Sequence, residues 1–182
     1  GTQDLRPSYL KGLTSLHRED YGLAIVELTR AIGEDPRTGY IPLDEHTGRI
    51  LYQRARAHLA IEKHIQASKD FLDAAERLPH GAWAVAAGSA CALAAYDPQK
   101  SREAAEALLD PTMRFHPNDE VRGYALRFRL ASLALLGEPE PIEEARAELQ
   151  AHGSPKPIDD YLIAAVAAGR AHTQADAELR LP

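Results

Sequence analysis

Cysteine is almost missing: Cys91 is the single one among 182 residues. No disulfide can close within the chain, and no zinc site can rest on paired thiolates. That usage is the habit of a reducing compartment, so a cytoplasmic setting is expected. Aromatic residues supply only 6% of the chain, with one Trp and three Phe, which leaves any core to be filled by small and aliphatic side chains. No apolar run approaches the roughly 20 residues that cross a bilayer. Residues 1–10 also lack the charged and apolar halves of a secretory leader, so no membrane span is expected here, while a domain cut from a larger exported or membrane protein would have lost either feature. Basic excess is missing too. The net charge is −6, with 11 Lys and Arg against 12 Asp and Glu in residues 1–91 and 10 against 15 in residues 92–182. A duplex-binding protein needs a basic face, so nucleic acid is not an expected partner.

Catalytic signatures are absent as well. There is no His-Glu-x-x-His pair, phosphate loop, Gly-x-Ser-x-Gly elbow or dinucleotide fingerprint. The expectation is a protein that is not an enzyme, with no catalytic residue, no cofactor and no metal. What the chain does have is apolar material for one compact domain or a short array, at 45% hydrophobic and 26% charged. Alanine recurs in runs such as Trp83-Ala84-Val85-Ala86-Ala87 and Ala164-Ala165-Val166-Ala167-Ala168. Ala is the best helix former and leaves little bulk between helix axes.

The chain repeats itself. Gly12, Ala24, Leu28, Ala31 and Pro36 are separated by 12, 4, 3 and 5 positions, and Ala55, Ala67, Phe71, Ala74 and Pro79 by the same steps. Moving by 43 residues also places Tyr9 on Tyr52, Leu16 on Leu59 and Tyr21 on His64. The later part of the pattern recurs as Ala105, Leu109, Thr112 and Pro117, and again as Ala145, Leu149, His152 and Pro157. Positions three, four and seven apart share one helix face, so each set is a stripe that packs on a neighbour. Small residues at Gly12 and Ala24 let two helices approach, and the proline ends the second helix.

The spacing predicts an all-α chain with helices at about Pro7–Arg18, Tyr21–Gly33, Thr47–Ala60, Lys63–Leu78, Ala82–Ala95, Ser101–Arg114, Val121–Leu136 and Pro139–Gln150, then a last one at about Ile158–Ala168. Ser101 reads as a helix N-cap, and Pro139 and Pro141 suit a first turn. About four extra residues are expected near Asp97–Lys100 and about two near Glu138–Pro141.

The stretches from Tyr9-Leu10-Lys11-Gly12 to Asp35-Pro36 and from Leu51-Tyr52 to Leu78-Pro79 resemble tetratricopeptide repeats. The resemblance covers roughly residues 5–157. It implies an α-α superhelix, a solenoid of about four helical hairpins with repeats at about 5–38, 48–81, 82–117 and 121–157, an inserted loop at 37–47 and a cap at 158–182. Proteins of this family, which include parts of bacterial kinases, regulators and secretion accessories, serve as scaffolds for protein–protein interaction. The first helix of each hairpin usually lines a peptide-binding groove. Carried over, the groove would hold Arg6, Tyr9, Leu13, Leu16 and His17, then Arg49, Tyr52, Gln53, Arg56 and Leu59. Trp83, Ala86, Ala90 and Leu93 would follow from the third repeat, and Phe128, Arg129 and Ser132 from the fourth.

Aromatic and Arg side chains dominate binding hot spots, so the expected partner is a protein or peptide with apolar anchors and at least one carboxylate. Tyr9 and Tyr52 read equally well as packing between hairpins. The subclass that clamps chaperone tails is not expected, because of its polar clamp positions only Gln53 is chemically close. A homo-oligomer formed through the solenoid ends or the convex face is the alternative function.

Other features carry two readings each. Tyr40, Ile41 and Leu43 in the insertion are contacts for a partner or a lid on the first hairpin. Asp44-Glu45-His46-Thr47 reads as the chemistry of a helix start rather than as a metal site, since adjacent side chains diverge. Cys91 reads as a small buried hydrophobe rather than a reactive thiol. His17, His58 and His64 read as packing or surface residues. Glu138-Pro139-Glu140-Pro141-Ile142-Glu143-Glu144 reads as a loop and a favourably charged first helical turn.

Overall fold

The computed structural model describes residues 7–34, 43–137 and 139–153. Among them are eight helices: α1 Pro7–His17, α2 Tyr21–Ile32, α3 Leu43–Ala60, α4 His64–Ala75, α5 Ala82–Ala94, α6 Pro98–Leu109, α7 Asp119–Leu136 and α8 Pro139–His152. Each packs against the next, so the fold is all-α, a sequential array of helical pairs. Beyond these neighbours α1 also approaches α3 and α5 approaches α7, and no pair of even-numbered helices comes as close among the described residues. The odd-numbered set is therefore the closer layer, here termed the inner layer. The expected cap at 158–182 lies outside the described residues.

One turn, used three times, builds the hairpins. Glu19, Glu62 and Tyr96 all take left-handed conformations, at φ of 61°, 58° and 59°. The amide after each donates back to a carbonyl of the finished helix: Asp20 to Ser15, Lys63 to His58 and Asp97 to Ala92, each at 2.9 Å. This geometry satisfies carbonyls that the helix end leaves unpaired. The second helix starts two residues beyond each left-handed residue, at Tyr21, His64 and Pro98. Gly137, also left-handed at φ 82°, ends α7 with a shorter closure, its own amide donating to the Leu133 carbonyl at 2.9 Å, and α8 starts at Pro139.

These turns recur at intervals of 43, 34 and 41 residues, which corrects the expected register of the third hairpin. An interval of 34 sets Ser89 at the place of Ala55, and Ser101 at the place of Ala67. Counting back from Pro117 had put Ala105 there. The extra residues fall after α6, in 110–118, and not near Asp97–Lys100. Ser101 is accordingly no N-cap. It is fully buried, its hydroxyl 2.9 Å from that of Ser89, which also donates to the Ser101 carbonyl at 2.8 Å. The cap is Asp97, whose carboxylate accepts from Lys100 N at 3.0 Å, with Pro98 in the first turn.

Packing follows side-chain size. A Cβ on Gly12 would stand 2.7 Å from Leu28 Cγ, so α1 and α2 cross at a place where only glycine fits around that buried leucine. Ala24, Leu28, Ala31, Ile50 and Ala57 form one core cluster between the first two hairpins. Cys91 joins Ala55, Ala67 and Phe71 in another, and burial pushes its thiol pKa up, as suits a small hydrophobe.

A polar lock crosses three helices. Arg54 donates from Nε and Nη2 to Asp70, both at 2.7 Å, and from Nη1 to Thr29 Oγ1 at 3.1 Å, tying α3 to α4 and α2. His58 Nε2 lies 3.7 Å from Asp70 Oδ2. Burial lowers the His58 pKa, and the Arg54 and Lys63 charges act in the same direction against the opposing pull of Asp70. At the leading end, Glu34 accepts from the Ser8 amide at 3.3 Å, placing a carboxylate where the positive pole of α1 favours it.

Candidate binding groove on the inner layer

Helices α1 and α3 lie one repeat apart, so residues 43 positions apart take equivalent places on them. Their last turns enclose an open cavity of about 470 Å³ lined by Leu13, Leu16, His17, Glu19, Tyr21, Gln53, Arg56 and Ala60. Five residues of the expected groove, Leu13, Leu16, His17, Gln53 and Arg56, thus come together. Leu13 and Leu16 supply the apolar wall. Arg56 is exposed and donates to Gln53 Oε1 at 2.9 Å, which holds the guanidinium at the cavity with a neutral partner.

Tyr9 and Tyr52 take the packing role that the sequence left open to them. Each is half-buried: Tyr9 packs on the Leu28 cluster, while Tyr52 meets the Phe71 ring edge-on at 5.3 Å. Arg49 is exposed and pairs with Glu45 one turn earlier at 2.7 Å. Leu59 is exposed in the last turn of α3. Arg6, Tyr40 and Ile41 lie outside the described residues.

A second group forms where α5 meets α7. Trp83 and Tyr124 stand 6.2 Å apart, and Tyr124 stacks on Phe128 at 6.2 Å with 17° between planes. Trp83 is 48% and Tyr124 37% exposed, so this ladder faces solvent in part. Tyr124 was not among the expected groove residues. Its signal was present, since it precedes Phe128 by four and so shares its helix face. On α5, Ala86 is buried and Ala87 and Ala90 are half-buried.

Arg129 is corrected by the structure. It follows Phe128 by one residue, about 100° around the helix, and points away from the ladder into a cavity of about 560 Å³ lined by residues of α6, α7 and α8 together with Asp110. There its Nη1 binds Glu148 at 2.6 Å. His152 borders the same cavity and hydrogen-bonds the Asp119 carbonyl at 3.0 Å. Ser132 is fully buried and lines no groove.

The Asp44–Thr47 cluster forms the start of α3, four residues before the expected helix start, with exposed Leu43 as its first residue. Asp44 faces Arg77 at 3.3 Å, Glu45 binds Arg49, His46 is buried, and Thr47 bonds the Leu43 carbonyl at 3.1 Å. The four side chains diverge. Among the described residues no group of three or more His, Cys, Asp or Glu is placed to hold a metal, and no helix is long and apolar enough to cross a membrane. The Asp110 carboxyl is held below its ordinary range by the Thr112 hydroxyl and amide, at 2.7 and 2.8 Å. In comparison with known proteins, the chain matches no protein family, no curated protein and no solved structure.

Proposed function

We propose that this protein is a tetratricopeptide-type binding module that holds a segment of a partner protein against its inner layer, without chemistry of its own. The observation that carries the reading is the convergence of Leu13, His17, Gln53 and Arg56 on one cavity between equivalent helices. The partly exposed Trp83–Tyr124–Phe128 ladder on the same layer supports it, because large rigid rings and guanidinium groups give contact area and directed donors at little entropic cost. The repeated left-handed turn supports the family reading, and one of its three intervals, 34 residues, equals the repeat length of this family. Changing Tyr52 to Ala together with Arg56 to Glu is expected to abolish capture of the native partner while circular dichroism shows helix content retained. Undiminished capture by that folded double variant sinks the assignment.

A second reading, self-assembly, has one specific observation in its favour. Leu10, Leu23 and Val26 are exposed at the leading end, and Leu10 and Leu23 border an open cavity of about 340 Å³. An end surface of that kind tends to associate. Mass in solution measured across concentration separates the readings: association relieved by Leu23→Lys with Val26→Lys supports assembly, and a monomer throughout dismisses it.

A further inference from the structure

Charge is sorted between the two layers. In the inner layer α1 has no acidic residue and α5 no charged residue at all. The acids of α3 and α7 are confined to their first turns, as Asp44, Glu45, Asp119 and Glu120. Beyond those turns the four inner helices hold no carboxylate. Every outer helix carries at least one acid beyond its first turn: Glu27 in α2, Asp70 and Asp73 in α4, Glu103 and Glu106 in α6, and Glu143, Glu144 and Glu148 in α8. In a chain of net charge −6 the inner layer is thus the surface from which carboxylates are excluded.

We propose that the partner segment is acidic and carries a large apolar side chain, which seats against Leu13 and Leu16 while neighbouring carboxylates meet Arg56. This inference rests on the inner layer being the binding face. A Lys or Arg brought onto the bodies of these helices loses hydration and finds no carboxylate there beyond Glu19 at the cavity rim, which is costly. A carboxylate finds Arg56, which pairs with no acid among the described residues and binds only the neutral Gln53 amide. The single acid lining the cavity is Glu19, in the turn at its rim. Arg54 and Arg129 contribute nothing here, because Asp70 and Glu148 already hold them.

The test uses the whole chain and two fluorescein-labelled probes, a short Glu-rich peptide with one Leu and its Lys-rich counterpart. Anisotropy gives affinity, and Trp83, the chain's single and partly exposed tryptophan, reports occupancy of the layer. The Glu-rich probe is expected to bind at least about tenfold more tightly than the Lys-rich one, and to weaken as salt rises from about 0.05 M to about 0.5 M. Arg56→Glu is expected to weaken it at least about tenfold and Arg56→Gln about threefold, while Lys69→Glu on the exposed face of α4 changes nothing. Equal or tighter binding of the Lys-rich probe, or binding of neither, overturns the proposal. If the Lys-rich probe alone shifts Trp83 emission, the acidic chemistry falls and the groove stands. If Glu-rich binding survives Arg56→Glu but is lost in Lys69→Glu, the groove reading falls with it.

Discussion

In the second hairpin a doubly hydrogen-bonded Arg54–Asp70 pair joins α3 to α4, and Tyr52 packs edge-on against Phe71. In the third, α5 carries no charge, and it meets α6 through the hydroxyls of Ser89 and Ser101, among alanines. Both hairpins turn through a left-handed non-glycine residue with the same 2.9 Å backbone closure. The turn therefore governs how the helices are paired, and the side chains at the crossing govern what fills the gap. One position accepts Ala67 with its aromatic neighbour Phe71, or Ser101 with Ala105, provided the partner helix offers a small residue opposite, Ala55 or Ser89.

Four measurements break or sharpen that contrast. The largest expected effect is on the charged side: Asp70→Ala strands Arg54, which is mostly buried, and should cost about 3 kcal/mol or more in urea denaturation. Replacing both partners, as Arg54→Met with Asp70→Leu, should cost clearly less, because no charge is left unpaired. A loss below about 1 kcal/mol for Asp70→Ala would mean that the pair behaves as a solvated one, and the contrast between the hairpins would dissolve. On the hydroxyl side, Ser89→Ala should cost about 1–2 kcal/mol, since it leaves the buried Ser101 hydroxyl unpaired. Adding Ser101→Ala should cost nothing more; full additivity would show that the two hydroxyls act separately.

A smaller effect tests what the hairpins share. Glu62→Gly and Tyr96→Gly should each raise stability, by up to about 1 kcal/mol, because glycine takes the left-handed conformation without its steric penalty. Destabilisation by both would show that these side chains matter more than the backbone geometry. The smallest effect is one of pH. His58 has its folded pKa depressed by burial below the ordinary value of about 6.5. Below that value the unfolded chain takes up a proton that the folded chain resists, so stability falls as pH drops from about 7 to about 5. Above it the imidazole is neutral in both states and contributes nothing. His58→Gln should flatten this dependence by up to one proton; an unchanged slope assigns the dependence to other groups.

Much of the fold was legible from residue spacing. Ala24, Leu28 and Ala31 mark a buried stripe wherever the chain lies, because their helical period leaves them no other common face. Gly12 announced a close crossing for the same reason. The third hairpin was misread from its proline: Pro117 follows a longer loop, and a loop's length is not encoded in the stripe before it. The candidate site was legible in its first two helices, where Leu13 and Arg56, 43 residues apart, line one cavity. It was less so in α7, where a single residue's difference separates Phe128 in the ladder from Arg129 at Glu148.

The amino-acid sequence by itself determined the helices, their pairing and the exclusion of acids from the bodies of α1, α3, α5 and α7, all of which follow from residue type and local period. Only the tertiary structure decided the register of the third hairpin, the Arg54–Asp70–Thr29 lock, the Ser89–Ser101 contact and the placement of Arg129. Those depend on which side chains meet across separate helices. Such meetings are set by crossing geometry and turn closure, and no spacing along one helix specifies them.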